Sequence, residues 1–229
     1  MNLKSKLNYA FAIVGFSISI SAHAELYIFG ISYDMGTNFM NITTSSGKYH
    51  VPATDSGWWS NVAGHEETSK NYYVSKCCEG EIFNNFFTFN LSGISGTITS
   101  ASLDLYNYDI KGSSLEYRLF DITSPLHAVH SDGESNNPIY LDLMTGITYG
   151  SHIYNELDSY NYSSILFNAD GIQALNNAIG EEFGVGGTLI GGIETPVPEP
   201  ETYAMLLVGL GLISIIARRR KQQNLLTVI

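Results

Sequence analysis

Phe87, Phe89 and Leu91 alternate with Thr88 and Asn90, the two-residue period of a strand with one buried face. After turn residues at Ser92, Gly93, Ser95 and Gly96 the period resumes. Ala101, Leu103 and Leu105 point one way, and Ser102, Asp104 and Tyr106 the other. Lys111, Gly112, Ser113 and Ser114 turn the chain again before Leu115, Tyr117 and Leu119 alternate with Glu116 and Arg118. Residues 26–31 and 188–190 read as the first and last strands. A single helical period stands out late in the chain, where Ile172, Leu175 and Ile179 share a face, Asp170 can cap the start and Gly180 suits the end. Tyr, Phe, Thr, Ser, Gly and Asn dominate the whole middle, with a turn signal about every ten residues. The pattern predicts an all-β domain, a two-sheet β-sandwich of jelly-roll type with one short helix.

The two ends break this pattern. Lys4 and Lys6 precede an apolar stretch over residues 9–20, and Ala22 and Ala24 flank His23 with the small side chains that signal peptidase requires. Cleavage is expected before Glu25. The alternative, an uncleaved N-terminal anchor, is disfavoured because the run is short and ends in Ser-rich sequence. At the other end, Pro196, Val197, Pro198, Glu199, Pro200 and Glu201 form a stiff acidic hinge. Sixteen uncharged residues, 202–217, follow it, and then Arg218, Arg219, Arg220 and Lys221. Such a run is slightly short of the roughly 20 residues of an average span, and the basic cluster would hold its far end on the cytoplasmic side. An ordinary membrane anchor needs only apolarity and positive charge. The motif immediately before the run points instead to an address that an enzyme reads.

This tail resembles the PEP-CTERM sorting signal of bacterial exopolysaccharide-associated proteins. Pro198, Glu199 and Pro200 match the motif, residues 202–217 its transmembrane helix, and Arg218, Arg219 and Arg220 its basic stop. The resemblance implies a Gram-negative protein that is exported across the inner membrane and transiently anchored there. An exosortase-type membrane enzyme then processes it for the cell surface or extracellular matrix. The expected organisation is a signal peptide over 1–24, a β-sandwich over 25–195, a sorting signal over 196–221 and a cytoplasmic tail over 222–229.

Removing both ends changes the charge. Between positions 25 and 194 there are twenty acids against five bases (Lys48, Lys70, Lys76, Lys111 and Arg118), a formal net charge near −15. A surface of that sign repels phosphate backbones, so nucleic acid is excluded as a partner and cations or neutral sugars remain. Cys77 and Cys78 are the only cysteines and are adjacent. Neighbouring Cα atoms lie about 3.8 Å apart, below the usual disulfide range, so the pair cannot staple distant parts of the fold. A strained vicinal disulfide, a link between chains and two free thiols all remain open.

A second resemblance lies in the middle of the chain. Residues 85–93 (Asn85, Phe86, Phe87, Thr88, Phe89, Asn90, Leu91, Ser92, Gly93) followed by 98–105 (Ile98 through Leu103, Asp104 and Leu105) are similar to a strand pair of extracellular bacterial jelly-roll modules. Some of those modules bind carbohydrate and others are plain stalks. The resemblance therefore implies fold more than activity.

Candidate chemistry is sparse. His65, Glu66 and Glu67 begin like a zinc-protease motif, but Ser69 stands where the second histidine is needed. His127 and His130, three apart, read as part of a polar loop without a shared metal. Catalytic residues, metal ligands and cofactor are expected to be none, although loop acids such as Asp55, Asp132 and Glu134 have oxygen chemistry that suits calcium. Trp58 and Trp59, read as a Gly/Ser-rich loop with Tyr72 and Tyr73 downstream, are the candidate ligand platform for stacking sugar rings. The opposing reading is that these indoles plug the end of the sandwich. Two functions follow: a non-enzymatic surface or matrix protein associated with exopolysaccharide or biofilm, or a carbohydrate-binding or glycan-degrading module.

Replacing Cys77 and Cys78 together with Ser should lower stability by less than about 1 kcal/mol, because a bond between neighbours closes almost no loop. Denaturant titration of the double variant checks this, and loss of folding would show that the pair bonds outside itself.

Overall fold

The computed structural model describes residues 26–30, 37–76, 80–135 and 137–193. The signal-cleavage residues Ala22 and Ala24, the pair Cys77 and Cys78, the sorting residues Pro198, Glu199 and Pro200, the apolar run after them and Arg218, Arg219 and Arg220 lie outside the described residues. Among the described residues, no helix is long and apolar enough to cross a membrane.

Strands dominate, as the alternation predicts. They are β1 (Leu26–Gly30), β2 (Phe39–Thr44), β3 (Lys48–Ser60), β4 (Tyr72–Lys76), β5 (Ile82–Asn90), β6 (Ile98–Asn107), β7 (Asp109–Lys111), β8 (Ser113–Asp121), β9 (Thr148–Tyr154), β10 (Asn161–Leu166) and β11 (Glu182–Ile193). Every pairing is antiparallel, and the main path runs β10-β6-β2-β3-β5-β11-β8-β9, with β1 joined to β4 and β7, and β4 also to β5.

The long strand β3 makes the sheet curl. Its first half, up to Pro52, pairs with β2, and from Ala53 onward it pairs with β5, with an irregularity between Ala53 and Asp55. An extra residue at such a point bends the strand and increases its twist. No residue of β3 pairs with β2 and β5 at once, so this one strand carries the path from one half of the curled sheet to the other. The two ends of the path approach each other at Gly150 on β9, where a Cβ would stand 2.5 Å from the Leu166 carbonyl oxygen of β10. Just beyond, the Asn168 N–H donates to the Tyr149 carbonyl at 2.7 Å.

Inward residues of both halves share one core. Met40, Ile42, Ala101, Leu103, Leu105 and Ile165 come from one half, and Phe87, Phe89, Leu115, Leu119, Val185 and Leu189 from the other. Ala101, Leu103 and Leu105 face inward as predicted. The half-buried reading of β5 does not hold, because Thr88 is as fully buried as Phe87 and Phe89. A second apolar cluster lies on that side of β5: Phe86 and Trp59 pack under two short helices, α1 (Leu126–His130) and α2 (Pro138–Asp142), through Val129, Ile139, Tyr140 and Leu143.

These helices are additional to the single one expected. Each is barely more than one turn, too short for a 3.6-residue period to show. The anticipated helix is α3 (Ala169–Asn177), with Leu175 fully buried. Its cap is Asn168, whose side chain accepts from the Gly171 N–H, and Asp170 sits in the first turn instead. Gly180 follows the helix at φ +93°, a left-handed conformation that suits glycine.

Leu103→Asp would place an unpaired carboxylate in the shared core and should cost more than about 3 kcal/mol. Leu166→Asp, at a position 73% exposed, should cost less than about 0.5 kcal/mol. Urea unfolding of the two variants checks both values, and equal losses would contradict the assigned faces.

Candidate functional site

The tryptophans belong to β3 and not to a loop. Trp59 is 1% exposed; its Nε1–H donates to the Val129 carbonyl at 3.0 Å and its ring stacks on His65 at 5.1 Å. It fixes α1 to the sheet and offers no surface to a sugar. Trp58 is half-buried and meets Phe83 edge-on at 5.1 Å. The downstream tyrosines separate as well. Tyr72 is fully buried, with its hydroxyl donating to Asn107 Oδ1 at 2.8 Å, while the ring of Tyr73 contacts Phe83, Tyr27 and Phe29. Trp59 and Tyr72 thus lie inside the domain, while Trp58 and Tyr73 both meet Phe83 edge-on, at 5.1 and 4.9 Å, so two of the four share a half-buried aromatic strip and the other two do not join it.

Of the candidate histidines, His65 and His130 are packed into the fold. His65 donates from Nδ1 to the Trp58 carbonyl at 2.7 Å and forms a short bridge with Gly133, so it is not itself on a helix. Burial pushes its pKa below the ordinary value, against the carbonyls of Trp58 and His130 that pull it up. His127 and His130 lie on α1 and not in a loop, because the turn starting at Pro125 closes into helix. His127 is exposed, whereas the His130 ring stacks on Phe86 and its Nδ1 lies 3.7 Å from Asp55. Asp55 itself pairs with Lys70 at 2.9 Å. The other two candidate acids, Asp132 and Glu134, line an open depression of about 540 Å³ with His65, Glu66 and Thr68. Asp132 already accepts from the Glu67 N–H there, at 2.7 Å. Among the described residues, no group of three or more His, Cys, Asp or Glu side chains is placed to hold a metal ion.

A different surface stands out. Along β10, β6, β2 and the first half of β3 every second residue points away from the core, and the four registers align these residues in rows. One row runs Ser164, Asp104, Phe39, Pro52, and the next Leu166, Ser102, Asn41, His50. Tyr162 stands opposite Tyr106 at one end. The rings form a continuous line: Tyr106 to Tyr162 at 5.3 Å, Tyr162 to Phe39 at 5.7 Å, and Phe39 to His50 at 4.1 Å. Beside them, Asn41 Nδ2 donates to Asp104 at 2.9 Å and Ser102 Oγ donates to the same carboxylate oxygen at 2.8 Å. The helices α1 and α2 pack elsewhere, against Trp59 and Phe86, so among the described residues this face stays open, with Tyr162 53% exposed.

None of Phe39, Asn41, His50, Tyr106 or Tyr162 was legible as a site residue. Tyr106 reads as the ordinary outward member of an alternating strand, the other four stand in stretches with no clear period, and only the cross-strand register joins them. The usable signal was the repetition of aromatic and amide or carboxylate side chains at outward positions of β2 and β6.

The tail can now be placed. Residues 196–221 match the family described as the PEP-CTERM protein-sorting motif. The chain carries a PEP-CTERM sorting motif. The match contains Pro198, Glu199, Pro200, Arg218, Arg219 and Arg220. The motif implies export, transient membrane anchoring before surface display, and processing by an exosortase-type membrane enzyme. No curated protein and no solved structure matches the chain.

The buried imidazoles set an acid limit on the domain. Burial lowers both His65 and His152, the latter partly offset by Asp158. The folded state thus binds fewer protons than the unfolded chain. Their full stabilisation is present above the ordinary value of 6.5 and is lost as pH falls through the lowered folded values. Burial raises the Asp142 carboxyl, but hydrogen bonds from Thr123 and Ser124 outweigh it and hold the pKa below 3.8, so its contribution disappears only in stronger acid. Urea melts at stepped pH should show stability falling below about 6.5. His65→Gln should flatten that limb, and an unchanged slope in the variant would contradict the assignment.

Proposed function

We propose that the β domain is the cargo of the sorting motif: a non-enzymatic cell-surface or extracellular-matrix protein associated with exopolysaccharide or biofilm. The observation that carries this reading is the matched motif at residues 196–221, in which Pro-Glu-Pro, apolar run and basic cluster follow in order. Signal peptidase acting between Ala24 and Glu25 is the first processing step of the proposal, and the exosortase-type enzyme performs the second. The tail after residue 221 stays cytoplasmic until then. The curled sheet is read as a sandwich of jelly-roll type folded over at β3, which is supported by the single core that its two halves share.

The non-enzymatic reading rests on how the ionisable groups are used. Asp55 is paired with Lys70, Asp142 is tied to Thr123 and Ser124, and His65 is bonded to a backbone carbonyl. Burial raises Tyr72, Tyr117 and Tyr154, keeping all three neutral inside the core. These arrangements hold the fold together and require no cofactor. The second reading, a carbohydrate-binding module, is favoured by the open row of rings on β10, β6, β2 and β3.

Glu199→Ala leaves hydropathy and the basic cluster almost untouched, so membrane insertion is preserved under any reading. In the native host the variant should remain uncut and accumulate in the inner membrane with its domain in the periplasm. Fractionation with intact-mass measurement reads the outcome. Wild-type size and location in the variant would overturn the sorting reading.

A further inference from the structure

The open face has the chemistry of a sugar-binding surface. Aromatic rings offer apolar, electron-rich faces on which the C–H side of a sugar ring can stack, while amides, carboxylates and hydroxyls beside them fix orientation by hydrogen bonding. Phe39, Tyr106 and Tyr162 supply the rings, and Asn41, Asp104 and His50 supply the polar groups within the same four strands. Asp104 accepts from Asn41 and Ser102 through one oxygen, Oδ2, and an ionised carboxylate can accept several more bonds. A hydroxyl-rich ligand has donors for them.

Three observations select the occupant. First, the face interleaves rings with polar groups. A protein partner covering it with an apolar core would strip water from Asp104 and Asn41 without replacing their bonds, which is costly. A sugar carries hydroxyls around every ring and can satisfy those groups as it stacks. Second, the domain has twenty acids against five bases between positions 25 and 194, and Asp104 lies in the middle of the face. Polymers bearing carboxylate or sulfate are repelled. Third, neighbouring rings are tilted by 61°, 47° and 43° along the line from Tyr106 to His50. Rings so inclined cannot all lie on the flat surface of a crystalline polymer, whereas a single chain can twist to follow them.

We propose that the outer face of β10, β6, β2 and β3 binds a single soluble polysaccharide chain lacking acidic groups, with Phe39, Tyr106 and Tyr162 as stacking residues and Asn41 and Asp104 as hydrogen-bonding residues. This deepens the matrix-protein reading by giving the exported domain its own hold on the polymer. The contact rests on that reading only for where it occurs.

Native electrophoresis of the full chain in detergent tests it, through gels cast with soluble galactomannan, with alginate, or with the neutral and acidic fractions of the host's own extracellular polysaccharide. A pull-down on crystalline cellulose runs in parallel. At least one neutral soluble polymer should retard the wild type, while the acidic polymers and crystalline cellulose should not. Tyr162→Ala and Phe39→Ala should each weaken binding about tenfold or more. Trp58→Ala should bind like wild type. Tyr162 is exposed, so its variant should keep the wild-type melting temperature and remain interpretable even if Phe39→Ala is destabilised. The proposal is overturned by no retardation in any neutral polymer, by equal retardation in alginate, or by a folded Tyr162→Ala protein that binds unchanged. Sorting through Glu199 can succeed while this binding fails, and the reverse, so the two readings are tested separately.

Discussion

Burial of β5 on both faces is the constraint on which the rest of the structure depends. One edge of β5 pairs with β3 and the other with β11, and its side chains alternate between two apolar clusters. For both clusters to close, β11 must be thin. At Gly186 a Cβ would stand 2.8 Å from the Leu143 backbone, and at Gly187 it would collide with the Tyr117 hydroxyl and Asn85. Glycine at these positions lets the end of α2 press on the outer face while the Tyr117 hydroxyl donates to Asn85 at 2.9 Å on the inner one. A larger residue at 186 would have to displace the Leu143 backbone, and one at 187 would have to displace the buried Tyr117 and Asn85 side chains.

That arrangement divides the curled sheet into unlike halves. The half containing β5 spends its outer face on α1 and α2, with Trp59 and Phe86 beneath them. The half containing β2, β6 and β10 turns only its inner face to the core and leaves rings and polar groups outside. Buried polar clasps hold this second half in register. Asn107 donates to Ser163 at 2.8 Å and to the Asn161 carbonyl at 3.0 Å, and accepts from Tyr72. A clasp buried this deeply is costly to break, because every member left behind would lack a partner. The open face is thus presented on strands rather than on loops, a rigid support for a row of ligand contacts.

The strands β1, β5, β6, β8 and the end of β11 were legible from alternation and β-rich composition, whereas β2, β3, β4, β9 and β10 were not, and strand environment was harder still. The alternation in β6 and β8 gives the inward residues directly, since one face of each strand meets the core. In β5, Thr88 looks like an outward residue yet is buried beside Thr54, and Asn84 is buried where its amide donates to the Tyr140 carbonyl of α2. The helices α1 and α2 come from a stretch rich in Ser, Asp, Asn and Gly that reads as loop. Trp58 and Trp59 read as a loop because Ser56 and Gly57 precede them, yet β3 continues through both. The sorting tail was legible because its recognition depends on linear order. The aromatic face was not, because Phe39, Tyr106 and Tyr162 meet only through pairing across more than a hundred residues of chain.

The central claim is that the motif carries this domain to the exterior, where its open sheet face keeps it in the polymer. The most direct measurement compares wild type and Tyr162→Ala in the native host, scoring C-terminal processing by intact mass and retention in the washed extracellular polysaccharide fraction. The account predicts identical processing of both proteins, with wild type retained and the variant released into the medium. Equal retention of a correctly processed variant would contradict it.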